Sequence, residues 1–196
     1  MNVLGLARSL LRASSARSRA GLWGTMIETP RLILRPWREP DREPFARMNA
    51  DLRVMEFFPS VLSRDESDAL FDRIRGELLA AELRETGEFI GWIGLSAPTF
   101  EAHFTPCIEI GWRLAAEYWD RGLATEGARA VLDRATGEVV SFTTAGNYRS
   151  RRVMEKIGMT HDPRDDFDHP RLPEGHPLRR HVLYRSAKIR LNYGAE

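Results

Sequence analysis

From Met26 onward the apolar positions switch between two periods, and each switch marks an element. Arg31-Leu32-Ile33-Leu34-Arg35 reads as a first strand, ended by Pro36, which has no N–H to offer a ladder. Glu39-Pro40-Asp41 is a turn that opens a helix with Phe45 and Met48 three residues apart. Residues 54–62, interrupted by Pro59, predict a loop or short helix. Ser63 followed by Glu66 is a capping box, and the helix behind it places Leu70, Phe71, Ile74 and Leu78 on one face. Leu79–Leu83 and Phe89–Leu95 flank a turn containing Gly87 and predict a hairpin, although the first arm, LLAAEL, also suits a helix.

The second half changes from strand to helix and back. Cys107–Leu114 predicts a strand with Ile108, Ile110 and Trp112 on one face and Cys107, Glu109, Gly111 and Arg113 on the other. After a turn at Tyr118–Gly122, a helix from Leu123 to about Thr136 buries Ala124, Ala128, Val131, Leu132 and Ala135, with Gly137 as its stop. Val139–Thr143 is a β-branched and aromatic strand. The helix before it is long enough for a crossover, so this strand and 107–114 are free to run parallel. A last helix spans about Arg149 to Ile157, residues 160–180 read as a loop, and His181–Ser186 as a final strand.

Composition narrows the class. The chain has 196 residues, 42% of them hydrophobic and 29% charged, which suits one globular domain with a sizeable core and excludes a mainly disordered chain. No run of 18 apolar residues occurs, so no transmembrane helix is expected. Cys107 stands alone and forms neither an internal disulfide nor a Cys-rich zinc site. The net charge of +1 argues against a dedicated nucleic-acid binder. It conceals a split: residues 1–25 carry four arginines and no acid, leaving −3 on the remainder. That first segment is Arg- and Ser-rich. It reads either as a mitochondrial transit peptide or as a disordered arm or overlong gene start, and it is excluded from the fold.

The chemistry concentrates in WRLAAEYWDRGLATE, Trp112 to Glu126. A strand runs into a loop holding Gly122, and a helix starts there. The first turn of a helix offers unpaired N–H groups and a positive dipole end, an anion site for phosphates. Gly122 and Ala124 permit close approach, and Arg121 and Thr125 add donors. An ordinary strand-to-helix turn explains the same residues. The His161, His169, His176, His181 and Asp162–Asp168 run matches no metal-ligand spacing and reads as a solvated loop, or as a contact for a cationic amine; no metal is expected.

This run resembles the acyl-CoA pyrophosphate loop of GNAT-family N-acetyltransferases, in the branch that looks like the RimJ/RimL ribosomal-protein acetyltransferases. Supporting stretches are Glu28–Arg35, Gly87–Gly94, Glu109–Trp112, Asn147–Ser150 and Lys156–Met159, so the resemblance covers about residues 26–190. It implies an α/β (α+β) fold: a mixed, mostly antiparallel sheet with one splayed parallel strand pair, flanked by helices. It implies acetyl-CoA as co-substrate, held by the backbone of Ile110, Gly111, Trp112, Arg113 and Leu114, by the N–H groups of Arg121, Gly122, Leu123, Ala124 and Thr125, and by Asn147, with Ser150 near the thiol. Trp119 replaces the family's usual Gln or Arg in the loop, a change common in this branch. The expected partners are acetyl-CoA and an amine acceptor, with no nucleic acid or membrane, in a cytoplasmic monomer or homodimer.

The reaction needs a base, because amines are protonated near neutral pH. Glu109 is the candidate, or else a paired structural carboxylate. Ser150 is the candidate for assisting the leaving thiol, or else a helix cap. A non-catalytic acyl-CoA-binding protein that kept the fold is the alternative. Against the family's pattern the chain is short after helix 63–78 and again between Asp133 and Val139; the second contraction is expected to tilt the preceding helix or bare the edge of strand 139–143.

Overall fold

The computed structural model describes residues 26–187; the expectation for residues 1–25 lies outside them. The strands are β1 (Ile27–Glu28), β2 (Leu32–Arg35), β3 (Leu79–Leu83), β4 (Phe89–Ser96), β5 (Ile108–Leu114), β6 (Val139–Thr144), β7 (Thr160–His161), β8 (Phe167–Asp168) and β9 (Arg180–Arg185). The α-helices are α1 (Arg42–Ala50), α2 (Arg64–Ile74), α3 (Leu123–Leu132) and α4 (Tyr148–Lys156). One mixed sheet runs β1-β2-β3-β4-β5-β6-β9-β7, with β8 also on β9. Every pairing is antiparallel except β5 with β6.

A bulge at Ile90–Gly91 interrupts the alternation of β4, so residues three apart share a face and the strand divides the core. Ile90 and Ile93 face α3, in a cluster with Leu32, Ile110, Leu123, Val131 and Met154. Phe89 and Trp92 face α1 and α2, against Phe45, Met48, Phe71 and Leu78. A third cluster, Phe104, Val140, Phe167 and Leu183, covers the β6–β9 end. The capping box forms as expected: Ser63 Oγ accepts from Glu66 N at 3.3 Å and Glu66 Oε2 accepts from Ser63 N at 2.9 Å. LLAAEL becomes β3 in spite of its helix propensity. Ala80 and Ala81 lie buried in the sheet, and Glu82 accepts from buried Arg35 at 2.5 Å, a tertiary tie that outweighs local preference. Arg35 also forks onto Asp41 at 2.7 and 2.8 Å, joining β2 and β3 to the entry of α1.

Several expectations need correction. Residues 160–180 hold two paired two-residue strands, β7 and β8, too short for periodicity to register. α3 stops at Leu132, four residues before the expected end; the chain turns there while Ala135 stays buried, and Gly137 takes φ +85°. Ile108 is 40% exposed, whereas Ile110 on the same face is fully buried, because the core ends at that edge of β5. The short connection does not bare β6 at its start. Val139 and Val140 are buried, paired with Ile108 and Glu109 on one side, and on the other Val140 pairs with Arg185 while Val139 N donates to Ser186 Oγ at 2.9 Å.

Candidate functional site

β5 and β6 pair over only two positions, Ile108 with Val139 and Glu109 with Val140. Beyond them the strands separate, β6 staying with β9 and β5 with β4. Ser141 Oγ donates to Ile110 O at 2.9 Å and closes the apex of the V. At the other end Trp119 Nε1 donates to Leu114 O at 2.8 Å. The β6-facing edge of Ile110–Leu114 therefore lies open between two anchored carbonyls.

The chain leaves this edge through Ala115–Arg121 and enters α3 at Gly122. Gly122 takes φ +76°, a left-handed conformation that favours glycine, and its position faces Arg31 Nη2 with a Cβ distance of 3.6 Å. Asp120 just before it also has a positive φ, 57°. The N–H groups of Gly122, Leu123, Ala124 and Thr125 find no protein acceptor among the described residues, and α3 has no side-chain cap. A set of converging unpaired N–H groups at the positive end of a helix is a binding place for an oxyanion.

This turn is held from behind by residues 90 positions away. Glu126 accepts from Thr29 Oγ1 at 2.6 Å, Arg31 N at 2.8 Å and Arg31 Nε at 2.6 Å; Arg31 Nη1 donates to Arg121 O at 2.8 Å. Burial would raise the Glu126 carboxyl, but these bonds outweigh it and hold it below its ordinary value. Periodicity leaves no trace of this clamp, although Arg31 and Glu126 each lie in a stretch that carries the family resemblance. Glu126→Gln is expected to raise the KM for acetyl-CoA roughly tenfold, about 1.4 kcal/mol, with kcat little changed. Initial rates at varied acetyl-CoA check it; an unchanged KM would leave the clamp without a role in the loop.

Glu109 lies at the apex, opposite Ser96 of β4 and Val140 of β6. Its carboxyl has no hydrogen-bond or ion-pair partner among the described residues, and burial pushes it up to about 8. The paired-carboxylate reading therefore fails. Cys107, two residues earlier, is pushed up to about 11 by burial and then by the Glu109 charge.

Asn147, not Ser150, takes the capping role. Asn147 is the cap of α4: its Oδ1 accepts from Ser150 N at 3.2 Å, and its Nδ2 donates to Thr143 Oγ1 at 3.0 Å. Ser150 is thus the capped residue rather than the cap. No hydrogen bond joins it to Glu109 among the described residues, so the two catalytic candidates are not brought into direct contact. The Arg121 side chain lies over the Tyr118 ring at 5.7 Å, while Arg149 of α4 lies over Trp119 at 5.0 Å and bridges the mouth of the V. The acidic run is committed within the chain: Asp162 pairs with Arg164, Asp165 with Arg185 and Asp168 with Arg179 and Arg180, while Asp166 is hydrogen-bonded to His161. It is not a free surface for a cationic amine. Among the described residues no three His, Cys, Asp or Glu side chains converge on a metal position, and no helix is long and apolar enough to cross a membrane.

Comparison with known proteins agrees with this geometry. The family description "Acetyltransferase (GNAT) domain" matches residues 31–160. The chain is 40% identical to "Uncharacterized protein YkkB" of Bacillus subtilis over 69% of this chain and 85% of that protein. It is 29% identical to "Uncharacterized N-acetyltransferase YnaD" of the same organism over 76% of this chain and 89% of that protein. A GNAT-family acetyltransferase crystal structure from Bacillus anthracis superposes with a TM-score of 0.69 at 25% identity, covering 82% of this chain and 97% of that one.

Proposed function

The chain belongs to the GNAT acetyltransferase family, whose general reaction moves an acetyl group from acetyl-CoA to an amine, and from that premise we propose that residues 26–196 are the catalytic domain and the V between β5 and β6 its reaction centre. The observation that carries this is the open edge of Ile110–Leu114 ending beside the four unpaired N–H groups at Gly122–Thr125. An elongated co-substrate with a pyrophosphate fits both parts. Backbone groups of Ile110–Leu114 would hold its pantetheine arm, and the N–H groups from Arg121 to Thr125 its phosphates. Asn147, whose side chain is committed to its cap and to Thr143, would contribute as the scaffold of α4.

Acetyl-CoA supplies an activated acyl thioester; the protein supplies position and a base. Glu109 takes the proton from the attacking amine as the new C–N bond forms and the C–S bond breaks, and the electron pair of that bond leaves with sulfur. With its carboxyl near 8, Glu109 is ionised in a minority of molecules at neutral pH but is a strong base when ionised. Ser150, at the first turn of α4, stands as donor to the leaving sulfur. A thiol held near 11 is a poor nucleophile, which supports direct transfer without an acetyl-Cys107 stage.

We place the chain in the RimJ/RimL-like branch on the order of its motifs and on Trp119 at the first loop position. A cytoplasmic enzyme accords with relatives from Bacillus subtilis. Residues 1–25 are an appendage in this reading, so a chain starting at Met26 is expected to remain soluble and active; loss of either would refute it. Calorimetry with acetyl-CoA, joined to thiol release across an amine panel, tests the whole proposal. Binding with turnover supports it, and binding without turnover of any amine indicates a non-catalytic acyl-CoA-binding protein.

A further inference from the structure

Arg113 extends from β5 on the face that carries Glu109 and Gly111. Its Nη1 donates to Asn49 Oδ1 at 2.6 Å. Its guanidinium lies 4.1 Å from the Phe58 ring centre and 5.7 Å from that of Trp92. Asn49 is fully buried and gives its Nδ2 to Ser67 Oγ at 2.9 Å, so it holds Arg113 from a fixed position. No carboxylate pairs with Arg113 among the described residues, and burial pulls the guanidinium down to about 10. Its Nε is enclosed without an acceptor. The same is true of the indole Nε1 of Trp92, its cross-strand partner in β4.

Two enclosed N–H donors on paired residues, one of them cationic, are costly to leave unmatched. A carboxylate, with two acceptor oxygens and a negative charge, is the kind of anion that matches such donors. Arg113 as a whole is only partly buried, although its Nε is sealed from solvent by its neighbours. Gly111 has Trp92 Cζ3 3.4 Å from where a Cβ would stand, so the indole reaches along the strand toward the Glu109 end. The segment between α1 and α2 roofs the same face. Phe58 covers Arg113, and a Phe57 ring carbon lies 3.8 Å from the Cβ position of Gly146, in the turn after β6.

We propose that this face selects an acceptor amine that also carries a carboxylate, with Arg113 and Trp92 Nε1 holding the carboxylate while the amine faces Glu109. The inference rests on the acetyltransferase reading above. A bare polyamine would bring only positive charge toward Arg113; an amino carboxylate brings the matching anion.

The test is thiol release at saturating acetyl-CoA for acceptors that share an amine and differ in the anion: lysine against cadaverine, β-alanine against β-alaninamide, and a dipeptide against its C-terminal amide. The carboxylate member is expected to show a kcat/KM at least about tenfold higher in at least one pair. Arg113→Met should remove that preference by raising KM for the carboxylate member more than for its partner, with Arg113→Lys restoring part of it. Equal rates within every pair would overturn the inference, as would an Arg113→Met loss shared equally by both members. So would a protein that binds acetyl-CoA and acetylates only amines lacking a carboxylate. A protein that fails to bind acetyl-CoA would overturn the reading beneath it as well.

Discussion

Glu109→Gln is expected to lower kcat about 100-fold or more while leaving acetyl-CoA affinity within a factor of about two, since general base catalysis contributes roughly 10² to 10⁴. The pH profile carries the sharper signature. Both an ionised Glu109 and a neutral amine are needed, so log kcat/KM in the wild type rises with a slope near two below both pKa values. It loses one unit of slope as Glu109 ionises around pH 8. Glutamine removes that limb and leaves only the titration of the amine. Stability responds as well. The folded carboxyl keeps its proton up to about 8, whereas the unfolded chain releases it near the ordinary value of 4.5. The unfolded state therefore binds fewer protons through that window, and wild-type stability falls as pH rises across it. The melting temperature of Glu109→Gln should gain on the wild type from pH 5 to pH 8 and then hold its advantage. Profiles that coincide in rate and in melting temperature would remove Glu109 from both roles.

Gly122→Trp is expected to weaken acetyl-CoA binding at least about 100-fold. An L-residue at φ +76° costs about 1–2 kcal/mol in backbone conformation, and its Cβ would stand 3.6 Å from Arg31 Nη2, so the indole displaces the clamp that shapes the N–H cradle. Gly137→Ala is the control. Its φ is +85° and nothing lies within 4 Å of its Cβ position, so it bears similar strain away from the N-terminus of α3. Both variants should melt a few degrees lower. Only Gly122→Trp should lose acetyl-CoA in calorimetry. Equal affinities in the two would refute the loop assignment.

Much of the reaction centre was readable because it is local. The shift from period two at Glu109–Trp112 to helical spacing after Gly122 marked strand, turn and helix, and the crossover length marked the parallel pair. What remained hidden depends on residues far apart in the chain. The Thr29–Arg31–Glu126 clamp spans 95 or more positions and leaves no periodic trace. The enclosed donors of Arg113 and Trp92 exist only through the register of β4 with β5. Asn147 rather than Ser150 caps α4 because the helix starts one residue earlier than its apolar positions suggest. β7 and β8 escape because two residues cannot show alternation.

We propose that acetyl-CoA lies along the open edge of β5 with its phosphates on the first turn of α3. Amide hydrogen exchange with and without acetyl-CoA tests it at the atoms concerned. Slowed exchange is expected at Gly122–Thr125, whose N–H groups gain acceptors, and along Ile110–Leu114, with little change at β1 or β8. Protection that appears elsewhere while these two segments exchange as before would contradict it.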